Sequence, residues 1–218
     1  EAWELTTGSD SVVVAIIDSG IDYNHPDLQG NIWTNPGETP NNGIDDDGNG
    51  WVDDVHGIDA VLDTGDPMDH YGHGTWLAGI TGAVGNNSTG ITGINWNVSM
   101  IGAKWMQANG YAYSSEQLQC LDYIYDLKTS HGINIVAATI AWGSSSPNSA
   151  IEDAIEALGT EGIIICASAG NASNDIETSP WYPASYGLDN IIAATAVDDD
   201  GNQWFNYGAT SVDLGAPG

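Results

Sequence analysis

The sequence predicts an α/β fold in which a mainly parallel central sheet carries helices on both faces. Short β-branched runs alternate with longer stretches of helical period. The residues with the most chemistry stand just past apparent strand ends, where open α/β sheets place their sites. The size agrees: 218 residues, 41% hydrophobic with 28 glycines, suffice for one compact domain with its own core.

Taken in order, residues 11–17 (SVVVAII) read as a buried strand because the run is apolar, β-branched and too short for a helix. Residues 74–84 read as a short helix and 98–105 as a strand. Residues 115–130 read as a helix, with Leu118, Leu121 and Tyr125 at helical spacing. Strand 134–141, helix 149–158, and strands 162–167 and 190–196 complete the alternation, with a further strand at 212–214. The stretch 31–70 is too long for an ordinary connection and is rich in Asn, Asp and Gly, so it reads as an insertion with its own ligand or function.

Thirty acidic residues face two lysines, Lys104 and Lys128, and no arginine, giving a formal net charge of −28. That excludes nucleic acid as a partner, because no basic patch exists to displace counterions. A solvated acidic surface is the first reading; calcium binding and attraction of cationic peptides are the others. No apolar run approaches the ~20 residues of a membrane helix, so no membrane span is expected. Neither end carries a signal-peptide pattern, which points to a processed or truncated segment. Cys120 and Cys166 both sit in apolar stretches and are read as small buried hydrophobes, their pairing left open.

Two chemistries suit the polar residues near strand ends. Asp18 and His73 could form a carboxylate–imidazole pair acting as a general base, with His73 between Gly72 and Gly74 at a helix start. Alternatively Asp69, His70 and His73, with Asp18, Asp22 and His25, could hold a metal such as zinc in a hydrolase, although Tyr71-Gly72 favours a loop over a rigid helical face.

Within the insertion, Asp45-Asp46-Asp47-Gly48-Asn49-Gly50-Trp51-Val52-Asp53-Asp54 places oxygen ligands at alternate positions around a glycine turn. Structural calcium is expected there, held by Asp45, Asp47, Asn49, the Trp51 carbonyl, Asp53 and Asp54; no organic cofactor is expected. The twelfth loop position is His56 and not glutamate, so a bidentate ligand would come from Asp53 or Asp54.

Three motifs bear on the choice. Residues 13–28 (VVAIIDSGIDYNHPDL), 69–79 (DHYGHGTWLAG) and 168–171 (SAGN) resemble, in order, the aspartate, histidine and oxyanion-asparagine motifs of the subtilisin-like (subtilase) serine peptidases. The resemblance implies a subtilisin-like fold, Asp18 as the orienting carboxylate, His73 as the base and Asn171 as the oxyanion donor. It also implies a peptide groove edged by Asn109-Gly110-Tyr111 on one side and Ala141-Trp142-Gly143 on the other. The primary pocket would be walled by residues 141–143 and by Ser168, Ala169 and Gly170, with residues 182–184 near its floor.

Trp76 stands where relatives have a second histidine, residues 139–141 replace a more polar strand end, and the turn at 205–208 is a residue short. The family's serine turn is not found; Ser211 lies in the nearest string but leads into an apparent strand. The expectation is therefore a partial peptidase domain over 1–218, incomplete at its C-terminus and inactive alone. It would be secreted and monomeric, with protein or peptide substrates. A catalytically inactive peptide- and calcium-binding module is the alternative from another class.

Overall fold

The computed structural model describes residues 2–202 and 204–218, which form two compact units divided after Val136. In both, every pairing between the described strands is parallel.

The first unit opens with helix α1 (Ala2–Leu5) and strand β1 (Gly8–Asp18). Strand β2 (Gly57–Asp59), helix α2 (His73–Gly82), strand β3 (Asn97–Lys104) and helix α3 (Ser114–Thr129) follow. Its strands lie in the order β2-β3-β1, with Asp18 opposite Lys104 and Asp59 opposite the same lysine. Val14 and Ile16 pack with Ala78 and Ala83 around α2, and with Val98 and Met100 of β3. By strand alternation Val13, Ala15 and Ile17 point the other way. They are buried too, as a parallel strand covered on both faces must be.

Two expectations change here. Residues 31–70, read as an insertion, hold a strand of the sheet itself: β2 lies in their midst and forms the sheet edge, with Ile58 fully buried. The buried stripe of α3 is Cys120, Leu121, Tyr123, Ile124 and Leu127, whereas Tyr125 is exposed, because the stripe runs at i, i+3, i+4, i+7 from Cys120.

In the second unit, strand β4 (Ile135–Ile140, its last four residues in this unit) pairs with β5 (Ile164–Ser168). Then come β6 (Ile191–Val197) and β7 (Leu214–Pro217), while helix α4 (Ser149–Thr160) packs on β5. The Asn148 side chain caps α4 by accepting from Ala150 N at 3.1 Å, and Ile151, Ile155 and Leu158 form its buried face.

Ala138, Ile140, Ile165, Ala167, Ala193 and Thr195 are buried on one sheet face. On the other, Ile164, Cys166 and Leu214 are exposed. The expectation of two buried cysteines is thus corrected: Cys120 is buried, but Cys166 projects from the open face, and both are free thiols.

Candidate active site

Asp18 closes β1 and is completely buried. Its Oδ1 accepts from Ser19 N at 2.7 Å and lies 2.8 Å from His73 Nδ1. Its Oδ2 is buried and accepts no hydrogen bond from the described residues.

His73 is the first residue of α2, and two anchors fix that helix end. Ser19 Oγ accepts from Gly74 N at 2.9 Å. Asp69 accepts from Tyr71 N, Gly72 N, Thr75 N and the Thr75 hydroxyl at 2.6–3.0 Å. The close approach demands glycine at 74, where a Cβ would sit 2.2 Å from the Gly20 carbonyl oxygen.

The hydrogen bond to Asp18 raises the His73 pKa; burial opposes it, and the charges of Asp18 and Asp69 add to the rise. With Nδ1 held by the carboxylate, Nε2 is the nitrogen left for proton transfer, and the side chain is still 37% exposed.

The residues of the alternative metal reading are engaged separately. Asp69 is committed to the start of α2; burial raises its pKa, but the hydrogen bonds from Gly72, Thr75 and Tyr71 outweigh this and lower it. Asp22 accepts from Asn24 N, His25 Nδ1 from Asp27 N, and His70 is exposed. Among the described residues, the metal-ligating side chains that converge are instead Glu38, Asp45 and Asp47.

Asn109, Gly110 and Tyr111 form an exposed turn closed by Gln107 N donating to the Tyr111 carbonyl at 2.8 Å. The Tyr71 ring, two residues before His73, lies against Gly110.

Asn171 belongs to the second unit, where it is exposed. With Ala141, Trp142, Ser168, Gly170, Ala172 and Trp181 it lines a pocket of about 340 Å³. Gly143, buried Ala169 and the expected floor residues 182–184 lie outside that lining. Trp181 was missed from sequence: a Cβ on Gly143 would lie 2.2 Å from its Nε1, and one on Gly170 would lie 2.9 Å from the same atom and 2.6 Å from Asn206 Nδ2, so the indole requires glycine at 143 and shares that role with Asn206 at 170.

Asn206 was missed as well. Its Nδ2 donates to the Ala169 carbonyl at 2.7 Å, its Oδ1 accepts from Ala172 N and Asn174 N, and its own N–H donates to the Gly170 carbonyl. One buried side chain therefore holds the backbone on both sides of Asn171.

In the acidic loop, Asp45 accepts from Gly48 N, Asn49 N and Gly50 N, curling the chain around its carboxylate. Asp47 accepts from Asn35 and Asn49 side chains, and Asn49 Oδ1 from Trp51 N. Glu38, outside the motif, brings Oε1 onto Asp46 N and Asp47 N, while its buried Oε2 accepts nothing from the described residues. Glu38, Asp45 and Asp47 place ligand oxygens within 4.8 Å of one another, which fits a hard cation.

Two expected ligands, Asp53 and Asp54, lie outside that converging trio. Asp53 accepts from Asn42 N and Gly43 N. Asp54 accepts from the Tyr123 hydroxyl at 2.6 Å and from the Asn49 and Asn35 amides, and burial lifts its pKa to about 6.

A family model described as the subtilase family matches residues 9–218. The chain is 36% identical over 178 residues to subtilisin-like protease 1 of Plasmodium berghei, covering 81% of this chain and 29% of that protein. To thermitase of Thermoactinomyces vulgaris it is 31% identical over 218 residues, 100% of this chain and 66% of thermitase. It spans less than a third of the length of the Plasmodium relatives it matches. Among solved structures, a cold-adapted subtilisin-like serine proteinase superposes with a TM-score of 0.68 at 21% identity, over 97% of this chain and 65% of the other. A lanthipeptide protease superposes at 0.72 and 21%, over 100% and 58%. These superpositions speak for the fold.

Proposed function

Because this chain belongs to the subtilase family of serine peptidases, we propose that it is a catalytic segment of a secreted serine endopeptidase in which Asp18, His73 and Asn171 carry the chemistry. The observation that carries the reading is the 2.8 Å contact of His73 Nδ1 with the wholly buried Asp18 carboxylate. Asp18 holds the ring in the Nδ1–H tautomer and stabilises the imidazolium; Nε2 takes the nucleophile's proton and returns it to the leaving amine. Asn171 donates its side-chain amide to the developing oxyanion, and the 340 Å³ pocket beside it accepts the substrate side chain before the cleaved bond. The segment 141–143, beside that pocket in the second unit, supplies an edge for an extended peptide.

No residue within 1–218 is assigned as the nucleophile. The 218-residue chain should fold yet resist fluorophosphonate; stoichiometric labelling of any of its serines, Ser211 included, would refute the assignment. In the natural protein, His73→Ala should lower kcat by about four orders of magnitude or more. Asn171→Ala should lower it by about two to three, with little change in KM. Retained hydrolysis in His73→Ala would overturn the reading.

A calcium ion would be held by Glu38, Asp45 and Asp47, with the Asn49 side chain and Trp51 carbonyl completing the oxygen shell. Its charge would satisfy the buried Glu38 Oε2, which accepts nothing from the described residues, and stop the carboxylates repelling one another.

A further inference from the structure

A cavity of about 530 Å³ opens in the first unit, lined by residues assigned to neither the catalytic pair nor the converging carboxylates of the acidic loop. Its walls include Val52, Val55, Pro40 and Pro67, with an aromatic pair and two carboxylates among them. The Tyr23 and His56 rings lie 4.8 Å apart, inclined at 40°. The Tyr23 hydroxyl donates to Asp66 Oδ1 at 3.0 Å, which also accepts from Met68 N, while Asp66 Oδ2 accepts nothing from the described residues. Each Asp53 oxygen accepts one backbone N–H and keeps lone pairs. His56 Nδ1 lies 2.8 Å from the Trp33 carbonyl, which can only accept, so Nδ1 carries the proton and the neutral ring keeps an acceptor at Nε2.

The cavity therefore combines acceptors and an aromatic ring with apolar walls, and neither lysine of the chain lines it. Both lysines are engaged elsewhere: Lys104 is bound to Asp59, and Lys128 Nζ donates to the Ile135 carbonyl. A group that fits must present several N–H donors and a positive charge at the end of an apolar stem. That describes an arginine or lysine side chain, whose methylenes would lie on Val52 and the prolines while the head meets Asp53, Asp66 and the Tyr23 ring. We propose that this cavity binds a basic side chain of a polypeptide, at a site separate from the catalytic pair. A net charge of −28 draws such polypeptides toward the surface. The proposal does not depend on hydrolysis.

The test follows the Tyr23 and His56 ring resonances of the 218-residue chain, with calcium present throughout so that the acidic loop keeps one state. Nα-acetyl-arginine amide should give saturable shifts with a Kd of about 1 mM, in keeping with a ligand of its size. The citrulline counterpart, equal in shape but uncharged, should give none. Asp66→Asn should weaken the arginine titration about tenfold. Equal shifts from citrulline, a response that does not saturate, or an unchanged Asp66→Asn titration would each overturn the proposal. The citrulline arm uses the unaltered chain and so remains decisive if the variant fails to fold.

Discussion

Lys104 Nζ lies 2.7 Å from Asp59 Oδ2, and both side chains are almost completely buried. The same ammonium donates to the Met68 carbonyl at 3.0 Å, tying the strand end to the segment that leads into His73. Lys104→Met should leave the Asp59 charge buried without its counter-charge and destabilise the protein by about 3–5 kcal/mol. The double variant Lys104→Met/Asp59→Leu should recover much of that loss. Denaturant unfolding of the three variants checks it; a Lys104→Met chain as stable as the parent would contradict the pairing.

His73 should titrate above its ordinary value in the folded chain, and Asp18→Asn should bring it down, as read from imidazole proton shifts. The linkage sign follows. A histidine whose folded pKa is raised contributes stability that is fully present below the unfolded value of about 6.5 and is lost as pH rises through the folded value. The stability difference between the parent and His73→Gln should therefore be larger at about pH 5.5 than at about pH 9. A difference independent of pH would refute the coupling.

Chelation should lower the thermal midpoint. With free calcium at about a hundred times its Kd, the bound ion stabilises by about 2.7 kcal/mol, or roughly 5–10 °C for a chain of this size. Glu38→Gln should remove most of the response, whereas Asp53→Asn should retain it, because Asp53 caps the turn at 42–43. Calorimetry with and without chelator distinguishes the two; equal midpoints in the parent would sink the calcium assignment.

Asn206→Ala should destabilise by about 2–4 kcal/mol, since it strips partners from the N–H groups of Ala172 and Asn174 and from the Ala169 carbonyl. Amide exchange should rise first in residues 169–174. Exchange rising uniformly along the chain would argue against a local clamp.

One thiol per chain should react promptly with a maleimide under native conditions. Burial raises the pKa of both thiols, but Cys166 is exposed on the open sheet face, whereas Cys120 is fully buried and is held well above the ordinary value. Peptide mapping of the adduct gives the answer; equal labelling of both would show that α3 does not shield Cys120.

Much of this was legible in the sequence. Strand and helix periods placed every element except α1 and β2 within a few residues, and Asp18, His73 and Asn171 were picked out as candidates by the resemblance of the motifs that hold them. Local order fixed this much because backbone preference and hydrophobic period act over neighbouring residues. The tertiary structure alone decided what depends on distant partners. Glu38 joins the acidic loop from outside its motif, Asn206 clamps a turn more than thirty residues away, and Lys104 finds Asp59 only because β2 and β3 pair in register. It also exposed Cys166, whose apolar neighbours in sequence suggested burial: alternation sends successive side chains to opposite faces, and only the assembled sheet determines which face is covered.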